Sequence, residues 1–183
     1  FNLVNSGLNT PMGSVVEMHD VPKFQVKAMG SFKQKPGCPE DAYNALGEER
    51  VEELCYDECY NPSDERRKIT RIEVIRVMPQ EYEDQPIDDR ILDTWKVHNC
   101  DTSEIGCSFT FQDTEFLNGK QDVSYYVRAI EEPTPTINVK GGVCKREENG
   151  ECVEFKLCTQ DWKHPRDVES CSEEGEHRAW SSP

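Results

Sequence analysis

Apolar and polar positions alternate in short stretches along this chain, and turn-forming residues separate the stretches. Phe24-Gln25-Val26-Lys27-Ala28-Met29 alternates and predicts a strand with one buried face. Ile69–Met78 predicts a second strand, but its apolar residues occupy both parities: Ile72 and Val74, then Ile75 and Val77. Such a strand is either covered on both faces or switched in phase by a bulge. Trp95 and Val97 alternate with Lys96 and His98 in a third, and Cys107–Phe111 and Val123–Ile130 follow. In the last of these Val123, Tyr125, Val127 and Ala129 share a face. Tyr125 and Tyr126 therefore point to opposite faces, and at most one belongs to the core. Ile137–Lys145 and Cys152–Leu157 form a predicted hairpin around Glu148-Asn149-Gly150, because Asn-Gly favours a tight turn.

One region has a helical signature. Pro36-Gly37-Cys38-Pro39 is a turn, Pro39 suits the first helical position, and Glu40 and Asp41 complement the helix dipole. A helix, or two short ones broken at Gly47, is expected over about 40–57. Leu46, Val51 and Leu54 would be its buried stripe. Residues 80–90 and 159–179 are polar and loop-like, and Gly141-Gly142 reads as a bulge or turn. Residues 1–22, with Gly7, Pro11, Gly13 and Pro22, read as a linker or lead-in from an upstream domain. Residues 23–183 then form one mainly β, disulfide-stapled, β-sandwich-like domain with one or two short helices and long loops. The start at Phe1, without an initiator Met, and the ending Trp180-Ser181-Ser182-Pro183 read as those of a processed or clipped piece.

Composition narrows the function classes. The 183 residues carry 36 acids against 21 bases, a formal charge of −15. That field repels phosphate backbones and anionic lipid, so nucleic acid is not an expected partner. No apolar run reaches the ~20 residues of a membrane helix, so membrane insertion is not expected either. Hydrophobic residues make up 35% of the chain, a thin supply for a core.

The nine cysteines change that picture. They are Cys38, Cys55, Cys59, Cys100, Cys107, Cys144, Cys152, Cys158 and Cys171. No C-x2-C pair occurs and only four histidines accompany them, so disulfides in a periplasmic or extracellular compartment are favoured over zinc. On a helix, Cys55 and Cys59 would hold their Cβ atoms about 5–6 Å apart, beyond the ~3.5–4.5 Å of a disulfide. They pair only if the helix ends between them, and Cys38 is the natural partner of one of the two. Cys100 and Cys107 are suited to close a small loop. A two-residue turn at Asn149-Gly150 places Glu147, not Cys144, opposite Cys152; a wider loop brings Cys144 nearer. Cys158 and Cys171 would then staple the tail. Spacing does not determine connectivity, and the odd count leaves one thiol free or bonded to something outside the chain.

Candidate chemistry is sparse. Asp84, Asp88, Asp89 and Asp93, preceded by Glu81 and Glu83, offer oxygens to calcium, but the EF-hand spacing is absent and a solvated acidic loop is the preferred reading. Asn61-Pro62-Ser63-Asp64-Glu65-Arg66-Arg67 reads as a turn entering the strand at Ile69, with Asp64 or Glu65 paired to Arg66 or Arg67. His19, His98, His164 and His177 form neither H-x-H nor H-E-x-x-H. No G-x-S-x-G elbow or phosphate-binding glycine loop occurs. Trp95, Trp162 and Trp180 would make a sugar or peptide platform if clustered, or else fill the core and anchor tails. No catalytic, cofactor-binding or metal residue is assigned.

A family resemblance is carried by Lys35-Pro36-Gly37-Cys38-Pro39 and Glu58-Cys59-Tyr60-Asn61-Pro62-Ser63-Asp64-Glu65-Arg66. It continues in Arg71-Ile72-Glu73-Val74-Ile75-Arg76, Tyr125-Tyr126-Val127-Arg128-Ala129, Pro133-Thr134-Pro135 with Ile137-Asn138, and Arg178-Ala179-Trp180-Ser181-Ser182-Pro183. From about Pro11-Met12-Gly13 onward the chain resembles the C-terminal segment of a large exported bacterial family of unknown function. The N-terminal part of that family looks like a metal-dependent hydrolase barrel of the amidohydrolase or polymerase-and-histidinol-phosphatase kind. The resemblance implies a divalent metal upstream and none in this chain. It implies a non-catalytic accessory domain that packs on the barrel and shapes access to its site, with that barrel or another protein chain as partner. The competing expectations are an independent secreted binding module, for carbohydrate, peptide or calcium, and a subunit of an extracellular assembly.

Overall fold

The computed structural model describes residues 1–5, 7, 9–56, 58–119, 121–137, 143–156 and 172–183. In chain order its strands are β1 (Asn2–Leu3), β2 (Thr10–Pro11), β3 (Lys23–Ala28), β4 (Phe32–Gln34), β5 (Pro62–Arg66), β6 (Ile69–Val77), β7 (Ile91–Asn99), β8 (Cys107–Gln112), β9 (Ser124–Glu131), β10 (Thr134–Ile137), β11 (Val143–Arg146), β12 (Cys152–Lys156), β13 (Ser172–Gly175) and β14 (Arg178–Trp180). Two helices, α1 (Glu40–Leu46) and α2 (Glu48–Cys55), lie between β4 and β5. The chain is mainly β, as the alternation predicts. Two four-stranded antiparallel sheets, ordered β2-β1-β3-β8 and β14-β9-β6-β7, form a sandwich, and three two-stranded ribbons (β4-β5, β10-β13, β11-β12) flank it.

The core lies between the two sheets. Phe24, Val26 and Phe111 of the first meet Ile72, Val74, Tyr125, Val127 and Ala129 of the second. Each fully buried side chain of this size contributes about 1.5–3 kcal/mol. Aromatic rings supply much of the contact: Phe24 lies 4.9 Å from Phe111 and 4.7 Å from Tyr125, and Trp95 meets Phe111 edge-on at 6.1 Å. Tyr125 belongs to this core, whereas Tyr126 is half-buried on the other face of β9.

The double parity of β6 has both expected causes. A register shift falls at Ile69/Arg71 against β9, and another at Val74/Arg76 against β7. The strand is also covered on both faces, since Ile72 and Val74 face the first sheet while Ile75, on the opposite side, is equally inaccessible. The far face of the second sheet carries an ion-pair ladder. Glu73 accepts from Arg71 at 2.9 Å and from Arg128 at 2.8 Å, Arg128 reaches Asp93 at 2.8 Å, and Arg71 grips Glu176 with two bonds of 2.7 and 2.8 Å.

Several expectations need correction. The helix breaks at Gly47 as anticipated, with Pro39 as the residue before the first helical one. Of the predicted stripe only Val51 is buried; Leu46 and Leu54 are half-exposed because each helix spans only about two turns. The stretch Asn61–Arg67 is not a simple turn: Pro62–Arg66 is an edge strand, with Pro62 at its start, where no ladder donor is needed. Its charges also pair elsewhere: Glu65 with Lys33, and Arg67 with Glu131. Arg66 instead donates to the Gly30 carbonyl and lies over the Phe32 ring. Within the polar stretch 159–179, the described residues supply β13 and the start of β14, and Ile137 ends β10 rather than beginning the hairpin.

That hairpin forms from β11 and β12, with a loop closed by Glu147 N–H to Glu151 O at 3.0 Å. The loop is wider than two residues, so Arg146 stands opposite Cys152 and Cys144 opposite Phe155. Residues 1–22, expected as a lead-in, supply β1 and β2 of the first sheet, with Leu3 in the core and Phe1 stacked 5.3 Å from Phe24. Among the described residues no helix is long and apolar enough to cross a membrane.

Candidate functional site

The disulfides set the frame. Cys38 bridges to Cys59 and Cys100 to Cys107. Helix α2 ends at Cys55, and Tyr56 turns left-handed (φ 51°), so Cys59 leaves the helix and reaches the turn before α1. Cys55 keeps a free, half-buried thiol. Cys152 is disulfide-bonded. Cys158 and Cys171, the Cys144 side chain, Gly141-Gly142, Trp162 and His164 lie outside the described residues.

The Cys38–Cys59 bridge holds one wall of a groove of about 1150 Å³. Its floor is apolar, made by Val26, Ile69, Val127 and Ala129. One wall comes from Lys35-Pro36-Gly37 and Glu58-Cys59-Tyr60, the other from Arg178 to Ser181. Asn61 braces the first wall, its side-chain amide donating to the Pro36 and Gly37 carbonyls at 3.3 Å. Between the walls the Glu131 carboxylate accepts from the Ser31 N–H at 2.6 Å and its hydroxyl at 3.1 Å, and Arg67 lies 3.9 Å away. This corner needs a glycine at position 30, where a Cβ would sit 1.9 Å from the Arg67 carbonyl oxygen.

Strand β14 gives the groove its chemistry. Glu131 N–H donates to His177 O and Ser181 N–H to Val127 O, both at 3.0 Å, with Ala179 opposite Ala129. In an antiparallel ladder the intervening residues turn their backbone groups the other way. The N–H and C=O of Arg178 and Trp180 therefore face away from β9, and among the described residues no strand pairs with that edge. The Trp180 ring lies on the far face, 6.1 Å from the Tyr126 ring and 5.3 Å from the Arg128 guanidinium.

Two further clusters lie elsewhere. Asp113, fully buried just after β8, accepts from Arg76 Nε at 2.8 Å, from the Tyr125 hydroxyl at 2.5 Å and from the Glu115 N–H at 2.9 Å. Burial first, and the Asp113 carboxylate second, push the Tyr125 hydroxyl well above the ordinary phenol range. Burial is the largest single influence on the Arg76 guanidinium and pulls it down, but its hydrogen bonds and charge interactions with Asp113 and Tyr125 together outweigh it and leave it raised. The third cluster is His98, Cys100 and Cys107, whose ligand-type atoms all lie within 4.8 Å of one another.

The expected sites fare unevenly. Trp95 is packed against the core and Trp180 is on the far face of the second sheet, so these two form no platform together. In the acidic loop Glu81 meets Arg90 and Gln121, and Asp93 meets Arg128, while Glu83, Asp84, Asp88 and Asp89 are exposed to solvent. His19 is exposed beside Glu17, and His177 lies 3.4 Å from the Thr136 hydroxyl. Sequence reasoning missed Asp113, which follows a strand without any motif. It also missed the His98-Asn99-Cys100 spacing, which on an extended strand puts His98 and Cys100 on one face. No family profile, curated protein or solved structure matches this chain.

Proposed function

We propose that this chain is a non-catalytic accessory module of an exported protein, and that it engages an extended polypeptide segment along β14 and the groove beside it. The observation that carries this reading is the open edge of β14. It offers the backbone groups of Arg178 and Trp180 next to an apolar-floored groove of about 1150 Å³. An unpaired strand edge is a template for one more strand: main-chain bonds hold the segment while alternate side chains enter the groove. The Cys38–Cys59 and Cys100–Cys107 disulfides are compatible with an oxidising, exported compartment. The formal charge of −15 argues against a nucleic-acid partner.

The resemblance suggests the source of the segment. Lys35-Pro36-Gly37, Glu58-Cys59-Tyr60, Val127 with Ala129, and Arg178 to Ser181 all belong to stretches that carry it, and all line this one groove. The segment is then supplied by the hydrolase barrel expected upstream, and the catalytic divalent metal belongs to that barrel. A carbohydrate platform has less support, because Trp95 is packed against the core.

The test uses the oxidised chain and peptides tiled over the gene-encoded polypeptide that flanks it. At least one peptide should bind and slow hydrogen exchange at the amides of Arg178 and Trp180. Arg178→Pro deletes one outward donor and should weaken that binding about tenfold, the worth of ~1.4 kcal/mol, with little change in Tm. If no peptide protects β14, or Arg178→Pro binds as well as the wild type, the reading fails. Turnover of phosphoester or amide substrates by the chain itself, with Zn²⁺ or Mn²⁺ added, would refute its non-catalytic character.

A further inference from the structure

His98, Cys100 and Cys107 come together from two strands of different sheets. His98 is the last residue but one of β7, Cys100 lies just beyond that strand, and Cys107 opens β8. The three are half-buried, so both ions and small reductants can reach them. The scaffold under them is firm. The His98 ring stacks on Phe109 at 4.4 Å with planes 4° apart, and the Cys100 N–H donates to the Thr70 carbonyl at 2.9 Å. Cys107 stands opposite Ala28 in the ladder, and Gly106 (φ +86°) passes so close to the Ala28 carbonyl that a Cβ would lie 2.7 Å from its oxygen. Stacking on Phe109 covers one face of the imidazole, and among the described residues no hydrogen bond engages its ring nitrogens at the edge.

We propose that this cluster is a redox-gated site for a thiophilic divalent cation such as zinc. It is closed while the Cys100–Cys107 disulfide stands and opens when a dithiol reductant cleaves it. One thiolate of the reductant attacks a disulfide sulfur and displaces the other cysteine as a thiolate. The second reductant thiol then resolves the mixed disulfide. The reductant departs as its own cyclic disulfide, two electrons pass to the protein, and its two protons end on Cys100 and Cys107. Binding of the cation releases those two protons, so two thiolates neutralise its double charge and a neutral His98 nitrogen adds the third bond. A fourth position is left for water. Tetrahedral zinc with sulfur at ~2.3 Å and nitrogen at ~2.0–2.1 Å sets its donors roughly 3.5–3.8 Å apart. Atoms already within 4.8 Å reach that geometry through side-chain rotation alone. The intervening loop carries Asp101 and Glu104, which favour a cation nearby.

The test adds Co²⁺, as a spectroscopic probe, and then Zn²⁺ to the full chain before and after reduction with a phosphine or dithiol. The reduced chain should take up an ion at this site and show thiolate-to-cobalt charge transfer with tetrahedral visible bands; the oxidised chain should not. His98→Ala should lower the affinity at least about tenfold, and Cys107→Ser should abolish the spectrum. Alkylation of reduced wild-type protein gives a second reading independent of the variants. Zn²⁺ should slow modification of Cys100 and Cys107 while Cys55 reacts at its former rate. Equal uptake by oxidised and reduced chain, equal alkylation with and without Zn²⁺, or a reduced chain that unfolds and binds no ion would each overturn the proposal.

Discussion

Asp113 shows how much one residue holds in this fold. It is completely inaccessible and negatively charged, and it satisfies Arg76, Tyr125 and the Glu115 N–H together. Removing one partner of a buried ion pair leaves the other charge uncompensated and costs about 3–5 kcal/mol. Asp113→Ala should therefore lose that much in urea unfolding, a large share of the ~5–15 kcal/mol of a typical domain. A loss below about 1 kcal/mol would mean that Arg76 finds water or another acceptor. Tyr125 gives the same corner a pH signature. Its folded-state pKa lies above the phenol's ordinary ~10, so the stability it contributes is fully present below pH ~10. That stability drains away as pH rises from there through the raised folded value. In an ultraviolet titration one of the six tyrosines should stay protonated until the protein unfolds, and Tyr125→Phe should remove that delayed step. Six tyrosines ionising together in the native state would contradict the buried triad.

At the scale of elements, the alternation in Phe24–Met29 and Val123–Ile130 located β3 and β9 because each buries one face against the opposite sheet. Period two is a direct imprint of that geometry. The charged stretch Pro62–Arg66 carried no such imprint: it is a peripheral strand that, among the described residues, pairs with β4 alone. Strands β13 and β14 were illegible for a related reason. Ser172–Gly175 and Arg178–Trp180 take their extended form from partners about forty and about fifty residues upstream, not from their own apolar pattern. The break at Gly47 was visible, but the buried stripe was not, since Leu46 and Leu54 find no surface to pack on. Cysteine spacing excluded a bridge within the helix and offered Cys38 as the partner of Cys55 or Cys59. Only the left-handed turn at Tyr56 decided between those two. The candidate site was least legible of all. The walls of the groove come from segments more than a hundred residues apart, and the open edge of β14 exists only once β9 has paired with its other side.

For the whole molecule the central question is how a sandwich with a formal charge of −15 stays folded. Two electrostatic effects of opposite sign compete. Attraction within the Arg71, Glu73, Arg128, Asp93 and Glu176 ladder and the Arg76–Asp113 pair supports the fold. Repulsion among the surplus acids opposes it. Salt weakens both, but not equally. The Debye length shortens from about 30 Å at 0.01 M to about 8 Å at 0.15 M, and exposed charges feel this far more than buried ones. Arg76, Asp113, Glu73 and Arg128 are all buried, whereas the surplus acids, such as those of α1, α2 and the loop at 81–89, are mostly exposed. Screening therefore removes more repulsion than attraction. The midpoint of thermal unfolding, followed by circular dichroism at neutral pH, should rise between about 10 and 150 mM NaCl. A midpoint that falls over the same range would show that the ion-pair ladder, not the surplus charge, governs the stability of the molecule.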